Sequence, residues 1–177
     1  MAQEVFKYLR EVDDPSLRKI VFILYSEEAF EIFKKNVEGY IDYIQKKISQ
    51  GPFLTVDAII SYQGKIVMIE RSNPPFGWAL PGGFVDYGES VEEAVVRETK
   101  EETNLDFVNF RQFKVYSRYG RDPRFHTVSV VFVGKGKGDL CASTDAKNVD
   151  LFFLDSLPQK IAFDHRKIIE DYKNSLK

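Results

Sequence analysis

Residues 83–105 read GFVDYGESVEEAVVRETKEETNL, and they form the most informative stretch of the chain. Ser90 and Glu93 stand at the spacing of a capping box, in which each side chain bonds the other residue's backbone N–H, so a helix should begin after Ser90. Asn104 tolerates the left-handed conformation that ends many helices. The stretch therefore predicts a loop followed by one helix with a defined start and end.

The predicted helix has one face that changes from apolar to acidic along its length. Its first half places three apolar residues on one stripe: Val91, Ala94 and Val95. At about 100° per residue, the same stripe continues into Glu98, Glu101 and Glu102. Clustered acids on a helix usually form a solvated face, but these acids follow the side that should be buried, and they repel one another. The pattern favours a site for a hard divalent cation, Mg²⁺ or Mn²⁺, which prefers oxygen ligands.

The stretch resembles the sequence motif of the Nudix family, G-x5-E-x7-R-E-U-x-E-E-x-G-U, in which U is a bulky aliphatic residue. The matching residues are Gly83, Glu89, Arg97, Glu98, Glu101, Glu102 and Leu105. Two positions depart from the motif, Thr99 at an aliphatic position and Asn104 at the final glycine. Both departures are mild, because threonine is β-branched like valine and asparagine tolerates the left-handed cap.

The resemblance implies a Nudix-type α/β/α sandwich with a mixed β-sheet, and hydrolysis of a diphosphate bond by a metal-activated water. It implies that the ligands of Mg²⁺ or Mn²⁺ are Gly83, through its backbone carbonyl, together with Glu98, Glu101 and Glu102. Glu98 and Glu101 are the implied catalytic residues, with Glu98 handling the proton of the water. Glu89 and Arg97 would form an ion pair that locks the loop against the helix. Because some members use an acid from a distant loop, Asp145 is the alternative base.

Three stretches outside the motif resemble the ADP-ribose pyrophosphatase branch of the family: residues 73–85, 121–130 and 162–165. This resemblance covers roughly residues 52–177 and implies a small nucleotide substrate, with ADP-ribose cleaved to AMP and ribose 5-phosphate. The alternatives are hydrolysis of nucleoside triphosphates or dinucleoside polyphosphates, and a non-catalytic nucleotide sensor. The enzyme is favoured over the sensor because all four glutamates of the motif are present and residues 1–50 lack a basic recognition helix.

Five residues are candidates for substrate binding: Arg71, Arg121, Arg124, Phe76 and Trp78. The arginines suit phosphates or a ribose through forked hydrogen bonds, and either aromatic side chain suits stacking on a base. The alternative for Arg121 and Arg124 is a turn stabilised by Asp122. For the aromatic residues, the alternative is packing in the core.

Residues 1–50 form an N-terminal extension with a pattern of their own. Residues 19–25 predict a strand, Ser26 predicts an N-cap, and an amphipathic helix should follow and end near Gly51. The apolar stripe of that helix consists of Phe30, Phe33, Val37, Tyr40, Ile41, Ile44 and Ile48. Such a stripe covers either the chain's own core or a second copy. Because the ADP-ribose branch is commonly dimeric, we expect a homodimer to which residues 1–50 contribute.

Residues 51–177 form the predicted Nudix domain, in which strands and helices mix as in an α/β sandwich. Strands are predicted over residues 53–61, 65–70, 114–119, 127–133 and 150–154. A turn is predicted at residues 81–83, and a last helix near Asp164. The glycine-rich residues 134–138 predict a flexible loop, which is no phosphate loop because no helix follows it.

The charge balance argues against nucleic acid as the main partner, since Lys+Arg number 25 and Asp+Glu number 27, for a net charge of -2. No segment approaches the length of a membrane span, so we expect no membrane partner. Cys141 is the single cysteine, which excludes an internal disulfide and favours a reducing compartment, with the cytoplasm as the expected location.

Overall fold

The computed structural model describes residues 21–43, 51–142 and 146–177. The chain divides into two compact units, Met1–Gln50 and Gly51–Lys177. In the described residues, no helix is both long enough and apolar enough to cross a membrane.

The first unit contains helix α1 (Glu27–Tyr43). Ser26 caps it as predicted, because the Ser26 hydroxyl accepts a hydrogen bond from the Ala29 N–H at 3.1 Å. The strand predicted over residues 19–25 is wrong for the part described, since residues 21–25 have no strand pairing. A lone strand has no neighbour to bond its backbone, and Phe22 instead packs on Phe33 of α1 with ring centroids 4.8 Å apart. Residues 44–50, through which the helix was predicted to continue to its end near Gly51, lie outside the described residues.

The second unit is a mixed sheet with a helix on each face. Its elements are β1 (Phe53–Tyr62), β2 (Lys65–Arg71), β3 (Trp78–Ala79), β4 (Gly82–Phe84), α2 (Val91–Thr103), β5 (Asp106–Tyr116), β6 (Thr127–Lys137), β7 (Ala146–Phe152) and α3 (His165–Ser175). The strand order is β3-β2-β1-β6-β5, with β4 paired to β1 and β7 paired to β2. β1 and β6 run parallel, while the other strand pairs are antiparallel. The predicted α/β sandwich with a mixed sheet is confirmed.

β1 is buried on both sides because the two helices pack on opposite faces of the sheet. Ala58 and Ile60 of β1 belong to one apolar cluster with Ala94 and Val95 of α2. Ile59, which points the other way along the strand, belongs to a second cluster with Ile168 and Ile169 of α3. Central strands buried on both faces read as continuous apolar runs, as β1 does.

The glycine-rich residues 134–138 correct one expectation, since β6 continues through Lys137 where a flexible loop was predicted. Gly136 pairs with Phe107 of β5, which begins at Asp106 and not near residue 114. A Cβ at Gly134 would lie 2.7 Å from the Phe107 ring and 2.6 Å from Phe110. Gly134 therefore makes room for the Phe107 ring of the next strand, and Gly136 makes room for the side chains of Leu105 and Ile60. Gly82 and Gly83, predicted in a turn, lie in β4.

Thr99 of α2 offers a test of core packing. It is fully buried, and its hydroxyl has no hydrogen-bond partner among the described residues. Thr99→Val keeps the shape and removes the unsatisfied group, so the free energy of unfolding should rise by about 1 kcal/mol. The control is Thr103→Val, which should destabilise because the Thr103 hydroxyl bonds the Thr99 carbonyl at 2.6 Å and the Leu105 N–H at 3.2 Å. Urea unfolding measures both, and a loss of stability in Thr99→Val contradicts the prediction.

Candidate active site

Helix α2 carries the acidic residues and has the caps that its sequence predicts. The Ser90 hydroxyl accepts the Glu93 N–H at 3.2 Å, and the Glu93 carboxylate accepts the Ser90 N–H at 2.9 Å. At the other end, Asn104 is left-handed with φ 61°, and its N–H bonds the Lys100 carbonyl at 3.0 Å. The two caps fix which residues of α2 face β4.

Arg97 joins the loop before α2 to the helix. Its Nε and Nη2 atoms bond the two carboxylate oxygens of Glu89 at 2.8 and 2.9 Å, and Nη2 also bonds the Phe84 carbonyl at 3.1 Å. The hydrogen bonds from Arg97 lower the pKa of Glu89 to about 2. This two-pronged pair holds the loop in one position against the helix.

The remaining nitrogen of Arg97 faces the catalytic candidates. Nη1 bonds Glu98 Oε1 at 2.8 Å and Glu101 Oε2 at 3.2 Å. The Glu98 side chain is mostly buried, whereas that of Glu101 is 56% exposed. Burial raises the pKa of Glu98 in spite of the bond to Arg97. Arg97 therefore orients Glu98 and Glu101 while Glu89 holds Arg97 itself.

Glu102 is a buried carboxylate whose pKa is strongly raised. Its Oε2 accepts the Gly82 N–H at 2.8 Å. Burial raises the pKa of Glu102 to about 8, and repulsion from Glu98 and Asp57 adds to the effect while the Gly82 bond opposes it. A buried carboxylate with carboxylate neighbours gains most from a bound cation.

Gly83 lets β4 approach the acidic residues of α2 closely. A Cβ at this position would clash with the carboxylate of Glu98. The absent side chain lets the backbone of residue 83 lie directly against that acid. Gly82 has φ 155°, and a Cβ at this position would clash with the backbone oxygen of Val56 in β1.

The candidate ligands suit a hard cation, although their side-chain oxygens do not point to one common position. Among the described residues, no three His, Cys, Asp or Glu side chains are close enough together to be a ready metal site. Glu98 and Glu101 point to Arg97, and Glu102 points to Gly82. All these donors are oxygens, which Mg²⁺ and Mn²⁺ prefer, and burial raises the pKa values of Glu98 and Glu102.

A cleft opens beside β4, next to these acids. The residues that line it include Thr55, Asp57, Arg71, Gly82, Gly83, Phe84, Arg124 and Phe163. Gly82 and Gly83 connect it to the glutamates, while Arg71 and Arg124 supply positive charge. The arginines thus face a cleft whose glycine backbone lies against the glutamates, and this arrangement suits an anion bound beside a cation.

Comparison with known protein families shows that the NUDIX domain family model matches residues 52–172. The chain belongs to the Nudix family. An ADP-ribose pyrophosphatase from Methanocaldococcus jannaschii is 48% identical over 144 residues, which are 80% of this chain and 81% of that protein. A putative 8-oxo-dGTP diphosphatase from Bacillus subtilis is 32% identical over 71% of this chain and 80% of that protein.

A solved structure of a Nudix domain resembles this one. The NUDIX domain of Shewanella oneidensis NrtR, complexed with ADP ribose, superposes with a TM-score of 0.66 and 29% identity. The match covers 77% of this chain and 98% of that one. The Nudix architecture expected from the motif is thereby confirmed.

The predicted substrate arginines of this Nudix domain differ in their surroundings. Arg71 is half-buried and bonds the Pro75 carbonyl at 2.9 Å. Arg124 forms a two-pronged pair with Asp122, through Nε at 3.0 Å and Nη2 at 2.8 Å, which is the turn contact considered as its alternative. Both arginines still line the cleft.

Arg121 is held inside the Nudix domain. Its side chain is only 5% exposed. Nε and Nη2 bond both carboxylate oxygens of Asp164 at 3.2 and 2.8 Å, Nη1 bonds the Thr127 hydroxyl at 3.0 Å, and Nη2 lies 3.6 Å from Asp57. Arg121 reaches the cleft wall, but its donors already have partners in the protein.

The two predicted aromatic contacts lie away from the glutamates. Trp78 packs on Phe152 with centroids 4.8 Å apart, and it joins the apolar cluster beneath α3. Phe76 is 52% exposed and lines a shallow depression with Arg71 and Trp78. Trp78 therefore packs against the core, as its alternative stated. Asp145, the alternative base, lies outside the described residues.

Sequence reasoning missed the buried pair Asp57 and His165 in the wall of the cleft. Asp57 accepts the Ser129 hydroxyl hydrogen bond and lies 3.3 Å from His165 Nε2, while His165 Nδ1 accepts the Leu80 N–H at 2.9 Å. Burial lowers the pKa of His165, which favours the neutral ring. Because Nδ1 accepts the Leu80 N–H, the proton of the neutral ring lies on Nε2. The available signal was an aspartate inside the apolar run of β1.

Proposed function

We propose that this Nudix domain hydrolyses ADP-ribose to AMP and ribose 5-phosphate. The observation that carries the proposal is the cleft lined by Arg71 and Arg124 and by Gly82 and Gly83, whose backbones lie against the buried Glu102 and Glu98 with their raised pKa values. Similarity to a protein named ADP-ribose pyrophosphatase over 80% of the chain supports ADP-ribose among the possible diphosphate esters.

The proposed cation is Mg²⁺ or Mn²⁺, held by Glu98, Glu101, Glu102 and the Gly83 carbonyl. When bound, such an ion activates a water and neutralises charge on phosphoryl oxygens. Glu98 is the proposed acceptor of the water's proton, because its buried carboxylate lies beside the proposed cation and Arg97 Nη1 orients it through a bond of 2.8 Å. Glu101 shares Arg97 with Glu98 and completes the catalytic pair, and Asp145 remains the alternative base.

Substrate preference tests the proposal most directly. With Mg²⁺ or Mn²⁺, kcat/KM for ADP-ribose should exceed that for dATP, dGTP, 8-oxo-dGTP and diadenosine tetraphosphate by about 100-fold or more, since a site built around one polar ligand rejects others strongly. Chromatography of the products should show AMP and ribose 5-phosphate. Preference for a triphosphate supports the alternative suggested by the 32% identical diphosphatase. Tight binding of ADP-ribose without cleavage by any metal supports a sensor.

We also propose a homodimer to which residues 1–50 contribute, in the reducing cytoplasm that the single, exposed Cys141 tolerates. In α1, Phe30 is 50% exposed although it belongs to the apolar stripe, and burying such a side chain is worth roughly 1.5–3 kcal/mol. Light scattering should give twice the chain mass for the full protein and one chain mass for a chain beginning at Gly51. A monomeric full-length protein contradicts the dimer, and a dimeric truncated chain places the interface elsewhere.

A further inference from the structure

Phe163 stands at the cleft in a backbone conformation that phenylalanine rarely adopts. Its φ is 57°, in the left-handed region where a bulky side chain meets the following carbonyl. Neighbouring contacts hold it there: the Ala162 N–H bonds the Trp78 carbonyl at 2.8 Å, and Arg121 clamps Asp164. Strained residues of this kind persist where the surroundings fix them, and they concentrate at binding sites.

The ring of Phe163 contacts both arginines of the cleft. The guanidinium carbon of Arg71 is 4.7 Å from the ring centroid, and that of Arg124 is 5.2 Å from it. Both distances are within the range of a cation–π contact, in which the ring's negative face attracts the cation. One aromatic ring therefore contacts two cations from separate parts of the chain, Arg71 at the end of β2 and Arg124 in the loop before β6.

The two guanidinium groups repel each other. Burial lowers the pKa of Arg71, and the positive charge of Arg124 lowers it further. Arg71 donates its hydrogen bonds to the neutral carbonyls of Pro75 and Pro74, at 2.9 and 3.5 Å. Asp122 pairs with Arg124 from one side. An anion placed between the arginines would relieve their repulsion, and phosphate oxygens match the forked donors of arginine.

We propose that Arg71, Arg124 and Phe163 form a phosphate-binding subsite, in which Phe163 is the positioning residue that keeps the two guanidinium groups converged. Resting on the proposed function, the ligand is the diphosphate group of a nucleoside diphosphate ester. The shared cleft places this subsite next to Gly82 and Gly83, and so next to the glutamates. The strained backbone of Phe163 serves to present the ring to both arginines.

The test compares Phe163→Leu, Phe163→Tyr and Phe153→Leu in the full chain. Leucine keeps apolar bulk and removes the ring, whereas tyrosine keeps the ring. Phe153→Leu is the matched control, because Phe153 is 56% exposed and contacts a cation, Lys65, at 4.7 Å, at the opposite end of β2 from Arg71. The measurements are KM and kcat for the best nucleotide substrate, and calorimetric binding of inorganic pyrophosphate in EDTA.

Phe163→Leu should raise KM and weaken pyrophosphate binding about tenfold, a change of about 1.4 kcal/mol, with kcat altered less than about threefold. Phe163→Tyr and Phe153→Leu should stay within about twofold of the wild type. Unchanged KM and unchanged pyrophosphate binding in Phe163→Leu, or a fall in kcat alone, overturns the subsite. If the wild type prefers a triphosphate, the ADP-ribose proposal fails, while the same comparison on that triphosphate still decides the subsite.

Discussion

Replacement of Glu102 by glutamine should lower kcat about 1,000-fold or more with Mg²⁺ or Mn²⁺, while the protein stays folded. The amide keeps the size of the side chain and can still accept the Gly82 N–H, which lies 2.8 Å from Glu102 Oε2. It lacks the negative charge with which a carboxylate ligand offsets the charge of a divalent ion. Loss of several kcal/mol of metal-dependent stabilisation corresponds to a rate factor of this size, at about 1.4 kcal/mol for each factor of ten.

Stability measurements separate this chemical loss from unfolding. Because burial raises the pKa of Glu102 to about 8 in the folded protein, the carboxyl should bind more protons when folded than when unfolded. Its contribution to stability is therefore fully present at pH below its unfolded pKa of about 4.5, and it is lost as the pH rises through about 8. In EDTA, urea unfolding of the wild type should show this decline, and Glu102→Gln should remove it.

A matched variant on the same helix controls for the substitution itself. Glu92 is exposed in the first turn of α2, outside the metal-binding candidates, so Glu92→Gln should leave kcat within about twofold of the wild type, as surface changes usually do. Near wild-type turnover in Glu102→Gln, with the pH decline removed as expected, shows that the carboxylate does not serve the metal.

The acidic helix could be predicted from the sequence because its signals are local. Ser90, Glu93 and Asn104 act within one turn of the helix that they cap, and helical periodicity alone places Glu98 and Glu102 on the buried side. The strand pairing of residues 134–137 could not be predicted in this way. Gly134 accommodates Phe107 and Phe110, and Gly136 accommodates Leu105 and Ile60, side chains that only the folded chain brings into contact with these glycines.

The cleft shows the same division between local and distant causes. Arginine is a sound prediction for a phosphate site, and Arg71 and Arg124 do line the cleft. Arg121 looks equivalent in the sequence, yet its partner Asp164 is 43 residues away along the chain. No role was predicted for Phe163, although it lies in residues 162–165 that resemble the ADP-ribose branch, because neither its φ nor its contact with two arginines leaves a local pattern.

Because Arg121 and Arg124 have different surroundings, we expect removal of Arg121 to act mainly on stability and removal of Arg124 mainly on substrate binding. Arg121→Met should lower the free energy of unfolding by about 3–5 kcal/mol, because it leaves Asp57 and Asp164 without the cation between them in a buried site. Arg124→Ala should lower it by less, about 1–3 kcal/mol, because the Arg124 side chain is 34% exposed but its partner Asp122 is only 4% exposed and loses both side-chain bonds. Instead, Arg124→Ala should raise KM more than it lowers kcat.

Urea unfolding of Arg121→Met, Arg124→Ala and the double variant Arg121→Met/Asp164→Leu distinguishes a structural arginine from a substrate ligand. If Arg121 stabilises the interior, the double variant should regain part of the lost stability, because it removes one of the carboxylates left unpaired. If Arg121 mainly binds substrate, Arg121→Met should unfold at the urea concentration of the wild type and show a raised KM. The bonds from Arg121 to Asp164 and Thr127 lead us to expect the first result.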